Sequence, residues 1–224
     1  MVAIVLVGID LAKNVFALHG VDVAGKACLV RPAVRRDQLL EMVAKLAPCT
    51  IGMEACSGAH HWARQFMAFG HTVRLMAPKF VVPYRMSGKR GKNDAADAAA
   101  ICEAVGRPTM RFVPVKGAEQ QGTLVLHRSR ELLIRQRTML INALRAHLAE
   151  FGVIMCQGRV GVSALIAFIE GDKADLVPEI ARVALLGLIA QLRHAQTMVN
   201  EFEGRILEVT PVKWPIGYVS LSVN

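Results

Sequence analysis

The sequence predicts an α/β fold, a mixed sheet with flanking helices, followed by a long α-helical hairpin. Residues 1–113 alternate short apolar runs, which are typical of strands, with segments of helical periodicity. Residues 114–210 carry apolar side chains at spacings of three, four and seven, which is typical of long packed helices. The chain has 224 residues, and its 53% hydrophobic content excludes a disordered protein. We therefore expect a sheet domain (1–113), a helical arm (114–210) and a short tail (211–224).

The first three strands form the antiparallel side of the predicted sheet. Residues 2–9 are an aliphatic run that suits a central strand buried on both faces. Residues 14–21 and 26–31 predict two further strands, and the segment 22–25 between them, Asp-Val-Ala-Gly, suits a hairpin turn.

Helices and strands alternate in the next segment. Residues 35–47 have helical spacing, and residues 50–54 predict a short strand. Ser57 is a candidate cap for a helix that ends near residue 69, and residues 72–76 predict another strand. Since each strand follows a helical crossover, these later strands are expected to be parallel.

A basic stretch without acidic residues, 78–92, predicts an exposed loop that contacts a nucleic-acid backbone. Its cationic residues are Lys79, Arg85, Lys89, Arg90 and Lys92. Asn93 or Asp94 then caps an Ala-rich helix that reaches about Val105.

The helical arm contains two long amphipathic patterns, within 119–151 and 185–209, and a shorter helix at 160–170. Such a pair predicts either an antiparallel hairpin or a coiled-coil dimer arm. Arg128 and Arg135 on the first long helix are further candidates for nucleic-acid contacts. The net charge of +9 is consistent with a polyanionic partner.

Four carboxylates occupy positions that predict a metal site. Asp10 ends the first strand and Glu54 ends the fourth, while Asp94 and Asp97 share one face at a helix start. Strand ends and helix starts converge at one edge of an open sheet, where four carboxylates need protons or cations to offset their repulsion. Oxygen ligands suit Mg²⁺ or Mn²⁺, and two such ions about 4 Å apart catalyse phosphodiester cleavage.

Three separated motifs resemble the insertion-sequence-110 family of DEDD-type transposases. They are Gly8-Ile-Asp-Leu-Ala-Lys13, Met53-Glu-Ala-Cys-Ser-Gly-Ala-His60 and Gly88-Lys-Arg-Gly-Lys-Asn-Asp-Ala-Ala-Asp97. The stretch from Glu119 to Glu131 resembles the subgroup typified by insertion sequence 1111.

The resemblance implies a ribonuclease-H-like (RuvC-like) first domain in which Asp10, Glu54, Asp94 and Asp97 are catalytic and hold the metal ions. It also implies DNA recombination at insertion-sequence ends, guided by a structured RNA, while the helical arm predicts a homo-oligomer. Members of the family carry a second catalytic domain with a serine nucleophile after the coiled coil. Residues 211–224 are too few to form it, so we expect a truncated transposase and leave open whether it is active alone.

Two other functions stay open at this stage. A non-catalytic nucleic-acid-binding and dimerisation module would keep the fold and the basic stretch but cut nothing. A sugar-kinase or actin-like ATPase also opens with a strand and Gly-Ile-Asp, but it needs a Gly-Thr phosphate loop where this chain has Leu11-Ala-Lys13.

No apolar run approaches the roughly 20 residues of a membrane span, and five scattered cysteines indicate neither a disulfide framework nor a zinc site. We therefore expect a cytoplasmic protein.

Overall fold

The computed structural model describes residues 3–85, 94–171 and 176–209. The chain divides into two compact units, Met1–Ala118 and Glu119–Asn224, which we call the sheet unit and the helical unit. The strands of the sheet unit are β1 (Leu6–Asp10), β2 (Val15–Val21), β3 (Ala27–Arg35), β4 (Thr50–Glu54), β5 (Thr72–Met76) and β6 (Phe112–Val113). Its helices are α1 (Leu39–Ala44), α2 (Ala59–Ala68), α3 (Pro78–Val81) and α4 (Asp94–Val105), and a 3₁₀ turn covers Val82–Tyr84.

The six strands form one mixed sheet in the order β3-β2-β1-β4-β5-β6. β1, β2 and β3 pair antiparallel, β1, β4 and β5 pair parallel, and the short β6 adds antiparallel to β5. The predicted mixed sheet with flanking helices is therefore confirmed, including its antiparallel side and its parallel later strands.

Alternate residues of the central strands face opposite layers of the sheet unit. Val7 and Ile9 are fully buried in the main core, which also contains Trp62 and Phe66 of α2. Gly8, between them, lies directly beneath α4 on the other face. This two-residue alternation is the normal consequence of strand geometry, and it separates an aliphatic and aromatic layer from the layer that carries α4.

The structure corrects the sequence interpretation in three places. The basic stretch is not a loop throughout, because residues 78–84 are helical and Val81 is fully buried. Ser57 does not cap α2: Gly58 precedes the helix with a φ of 84°, and no side chain caps the helix at that position. β3 extends to Arg35, so that the first helix begins only at Leu39.

The helical unit contains three helices among its described residues: α5 (Ala118–Ala149), α6 (Gly158–Glu170) and α7 (Glu179–Val209). Arg130 contacts Glu203, and Arg137, seven residues further along α5, contacts Gln196, seven residues earlier along α7. These two contacts make α5 and α7 antiparallel neighbours. An aliphatic cluster joins α5, α6 and α7 through Leu144, Leu148, Leu165, Ile169, Leu185, Ile189 and Leu192. None of the helices in the described part of the chain is long and apolar enough to cross a membrane.

Candidate functional site

Asp10 and Glu54 end two neighbouring parallel strands at the same edge of the sheet. Ile9 of β1 pairs with Met53 of β4, and each carboxylate is the next residue along its strand. The strand register therefore aligns the two side chains, and both are half-buried.

The same two side chains face α4, because each lies two residues after a glycine that packs against this helix. Gly8 lies two residues before Asp10, and Gly52 lies two residues before Glu54. A Cβ atom added at either glycine would meet atoms of α4. Since strand residues two apart share a face, Asp10 and Glu54 point to the layer occupied by this helix.

The close approach of α4 to β1 sets the position of the other two carboxylates. A Cβ atom on Gly8 would lie 2.3 Å from the carbonyl oxygen of Ala98 and 2.4 Å from the backbone nitrogen of Cys102. Only glycine therefore allows the helix backbone to lie this near the strand. Asp94 and Asp97 occupy the first turn of α4, where negative charge also favours the helix dipole.

The pKa shifts of Asp10 and Glu54 are consistent with carboxylates that lie near one another. Burial raises the pKa of Asp10, and the negative charges of Asp97 and Asp94 raise it further, against the lowering effect of Arg85. Burial likewise raises the pKa of Glu54; Arg85 opposes this rise, whereas Asp10 and Asp97 add to it. The fold thus brings together the four acids that the sequence singled out.

Arg85 lies between two of these acids. Its Nη2 donates a hydrogen bond of 2.7 Å to Oε1 of Glu54, and its Nε lies 3.1 Å from Oδ1 of Asp97. The carboxylate side chains are only 13% and 18% exposed, so both ion pairs are largely shielded from water. The sequence placed Arg85 in an exposed loop, which is wrong: its side chain is half-buried in the carboxylate cluster.

The donor set fits a hard divalent cation, because it consists of carboxylate oxygens, the ligands that such ions prefer. Within the described ranges, however, no three His, Cys, Asp or Glu side chains are arranged as a ready-made metal-ligand group. In this arrangement the positive charge next to Glu54 and Asp97 comes from the Arg85 guanidinium.

The other predicted nucleic-acid contacts fall in different surroundings. Lys79 is exposed, with its Nζ 5.2 Å from the centroid of the Phe80 ring. Arg128 and Arg135 are exposed on α5, and Nη1 of Arg135 lies 3.8 Å from Oε1 of Glu131. The remaining three, Lys89, Arg90 and Lys92, lie outside the described residues.

Sequence reasoning missed two contributors to the site, the contact of Arg85 with the acids and the role of Gly8. For Gly8 a signal was present: a glycine inside a buried aliphatic strand, and an Ala-rich helix with small residues four apart, Ala98 and Cys102. For Arg85 there was none, because a single arginine in a basic stretch that contains Pro83 and Gly88 gives no local sign of a buried acidic partner.

Comparison with known proteins gives consistent matches. A transposase family model, of the DEDD type named for IS110, matches residues 7–153. The chain is 47% identical over 179 residues to a putative transposase (y4pF/y4sB) of Sinorhizobium fredii, an alignment that covers 80% of this chain and 45% of the relative. It is 43% identical over 201 residues to a probable family 20 transposase of Pseudomonas aeruginosa, with 89% and 58% covered. It is 38% identical over 205 residues to the transposase for insertion sequence element IS1111A of Coxiella burnetii, with 91% and 55% covered. The chain thus spans about half the length of the curated relatives it matches.

Proposed function

The chain belongs to the DEDD transposase family typified by IS110, and from that premise we propose that its sheet unit performs metal-dependent cleavage of DNA strands in transposition. The family resemblance carried by the three sequence motifs is thereby confirmed. The proposal concerns the reaction and the residues that carry it.

One observation carries the proposal: carboxylates of like charge lie together at one edge of the sheet, with Asp10, Glu54 and Asp97 half-buried and Asp94 exposed at the start of α4. Such a group costs folding free energy through desolvation and repulsion, and these two causes raise the pKa values of Asp10 and Glu54. Paired carboxylates with perturbed pKa values are typical of sites that hold cations or move protons. We therefore explain this destabilising arrangement by a function of the carboxylates, namely the binding of cations.

In the proposed mechanism, Asp10 and Glu54 bind the cations from the strand edge, and Asp94 and Asp97 complete the ligand set from α4. Mg²⁺ or Mn²⁺ bound there supplies activation of the attacking group and stabilisation of the leaving oxygen. The close contact of α4 with Gly8 keeps the helix carboxylates in register with the strand carboxylates. Lys79 and the basic residues beyond it, Lys89, Arg90 and Lys92, hold backbone phosphates without reading sequence.

The finer structural expectations are part of this proposal. An antiparallel hairpin side joined to parallel strands supports a ribonuclease-H-like (RuvC-like) fold for the sheet unit. The antiparallel contacts of α5 and α7 support a coiled-coil hairpin, and exposed apolar side chains on it, including Val125 and Met139, support a homo-oligomer. DNA as the substrate and a guide RNA as partner are proposed from the family.

Metal binding by the purified full chain is the first test. We expect Mn²⁺ binding, measured by isothermal titration calorimetry, to be lost or weakened at least about tenfold by Asp10→Asn, Glu54→Gln, Asp94→Asn or Asp97→Asn. Asp37→Asn is the matched control, because Asp37 is an exposed carboxylate of the same unit paired with Arg35. Equal binding by wild type and the Asp10→Asn variant would contradict the proposal.

Nicking of supercoiled and branched DNA in Mn²⁺ separates cleavage from the alternative of a binding and dimerisation module. We expect nicking by wild type and none by the Asp97→Ala variant, with equal retention of DNA in a gel-shift assay. DNA binding without nicking by a wild-type chain that binds Mn²⁺ would favour the non-catalytic module.

A further inference from the structure

Arg85 supplies positive charge at the carboxylate cluster, where a metal ion would also bind. It contacts Glu54, at the end of β4, and Asp97, on α4, so that one guanidinium joins the strand edge to the helix. Both carboxylates are largely buried, and such shielded ion pairs are much stronger than pairs in water.

The ion pairs use oxygens that a metal ion would need. Oε1 of Glu54 accepts the hydrogen bond from Arg85, and Oδ1 of Asp97 faces its Nε. A guanidinium and a divalent cation at these same two oxygens would repel each other at contact distance. The two cations are therefore alternatives at this site.

The hydrogen bonding of Arg85 in this position is also incomplete. Its Nε–H is buried and lacks a well-aligned hydrogen-bond acceptor, although Oδ1 of Asp97 lies 3.1 Å away. A buried donor without a proper partner lowers the free energy of unfolding, because the hydrogen bond that it made to water is not replaced. Release of Arg85 would recover part of that free energy by returning the donor to water.

We propose that Arg85 is a displaceable counter-cation, which holds Glu54 and Asp97 together in the metal-free protein and withdraws when a divalent ion binds. This inference rests on the proposed metal function and deepens it, because it makes metal affinity depend on a residue that is not a ligand. A site blocked about 90% of the time binds about tenfold more weakly than an open one. Arg85 therefore sets the cation concentration at which the cluster loads.

The test compares full-length wild type, Arg85→Gln and Arg107→Gln by calorimetric titration with Mn²⁺. Arg107 is the matched control, because it pairs with Glu103 from just beyond the C-terminal end of α4, whereas Asp94 and Asp97 lie in the first turn of this helix, and its change removes the same charge. We expect Arg85→Gln to bind Mn²⁺ on the order of tenfold more tightly and Arg107→Gln to match wild type. An Arg85→Lys variant should fall between, since an ammonium cannot bridge two carboxylates as a planar guanidinium does.

Two readouts independent of metal affinity complete the experiment. In EDTA, Arg85→Gln should melt at a lower temperature than wild type, and saturating Mn²⁺ should remove the difference. The Nε–H resonance of Arg85, assigned by its loss in Arg85→Gln, should shift when Mg²⁺ is added to the wild type.

The outcomes distinguish the two levels of the proposal. If wild type binds Mn²⁺ and the Asp97→Asn variant does not, while Arg85→Gln binds equally or more weakly, Arg85 is not a competitor and this inference alone fails. If neither wild type nor Arg85→Gln binds Mn²⁺, the metal function fails and the inference fails with it.

Discussion

The two units differ in their shielded charges, although both carry exposed ion pairs such as Arg35 with Asp37 and Arg193 with Glu170. In the sheet unit, several carboxylates lie together at one edge of the sheet, with Arg85 between two of them. The helical unit places charges of opposite sign opposite each other, as in Arg130 with Glu203 and Arg193 with Glu170. Its buried interior is an aliphatic cluster.

This difference distinguishes exposed ion pairs, which affect only stability, from half-buried carboxylates, which we assign to the proposed chemistry. Exposed pairs of opposite charge change the free energy of unfolding only slightly, because water screens their attraction and solvates both groups. Like charges in a half-buried site cost folding free energy unless a cation offsets them. Substitutions in the two units should therefore have opposite consequences, which the following experiments examine.

The helical unit depends first on its aliphatic cluster. Leu144 is fully buried there, so Leu144→Ala should lower the free energy of unfolding by about 3 to 4 kcal/mol. Urea denaturation followed by far-UV circular dichroism measures the effect. Val125→Ala on the same helix is the control, because Val125 is 60% exposed, and it should change the value by less than about 0.5 kcal/mol. Similar losses for both would mean that the cluster is not the source of stability.

Glycines in the two units should respond oppositely to the same substitution. Gly8→Ala forces α4 away from β1, which should cost about 2 kcal/mol and also weaken Mn²⁺ binding. Gly187→Ala in α7 meets open space and should instead stabilise the helix by about 0.8 kcal/mol. Fluorescence of Trp62 in a Trp214→Phe background reports the sheet unit during urea denaturation. A neutral Gly8→Ala would remove the argument that this contact positions the carboxylates.

Removal of one cluster charge should stabilise the metal-free protein. Asp10→Asn relieves repulsion from Asp94 and Asp97, and we expect a gain of about 1 kcal/mol in EDTA at neutral pH. Because the pKa of Asp10 is raised above its ordinary 3.8, its protonated form stabilises the fold at low pH, and this contribution is lost as pH rises through the raised value.

The difference between wild type and Asp10→Asn should therefore vanish in acid and open towards neutral pH, as thermal melts over a pH series would record. A difference that is constant with pH would show that the charge of Asp10 is not its cause.

The smallest effect is expected for a surface pair of the helical unit. Arg193 contacts both carboxylate oxygens of Glu170, which lowers the pKa of Glu170, yet both side chains are well exposed. Arg193→Gln should leave the melting temperature unchanged within error at physiological salt. A clear loss at high salt would place this pair among the structural contacts of the unit and weaken the contrast drawn above.

Local patterns in the sequence determined most of the element order and the identity of the four acids. The aliphatic run before Asp10 and the strand before Glu54 fix two carboxylates at strand ends, because residues beyond a buried strand lie at the sheet edge. Asp94 and Asp97 follow from helix periodicity. These are short-range consequences of backbone geometry and hydrophobic pattern.

The tertiary structure alone decided what surrounds those acids. The contact of Gly8 with Ala98 and Cys102 joins residues about 90 positions apart in the chain, and no local pattern specifies which helix covers which strand face. The basic stretch predicted a solvated loop, but the burial of Val81 brings Arg85 back to Glu54 and Asp97. Periodicity thus determines which way a side chain points, whereas its partners depend on long-range packing of the whole unit.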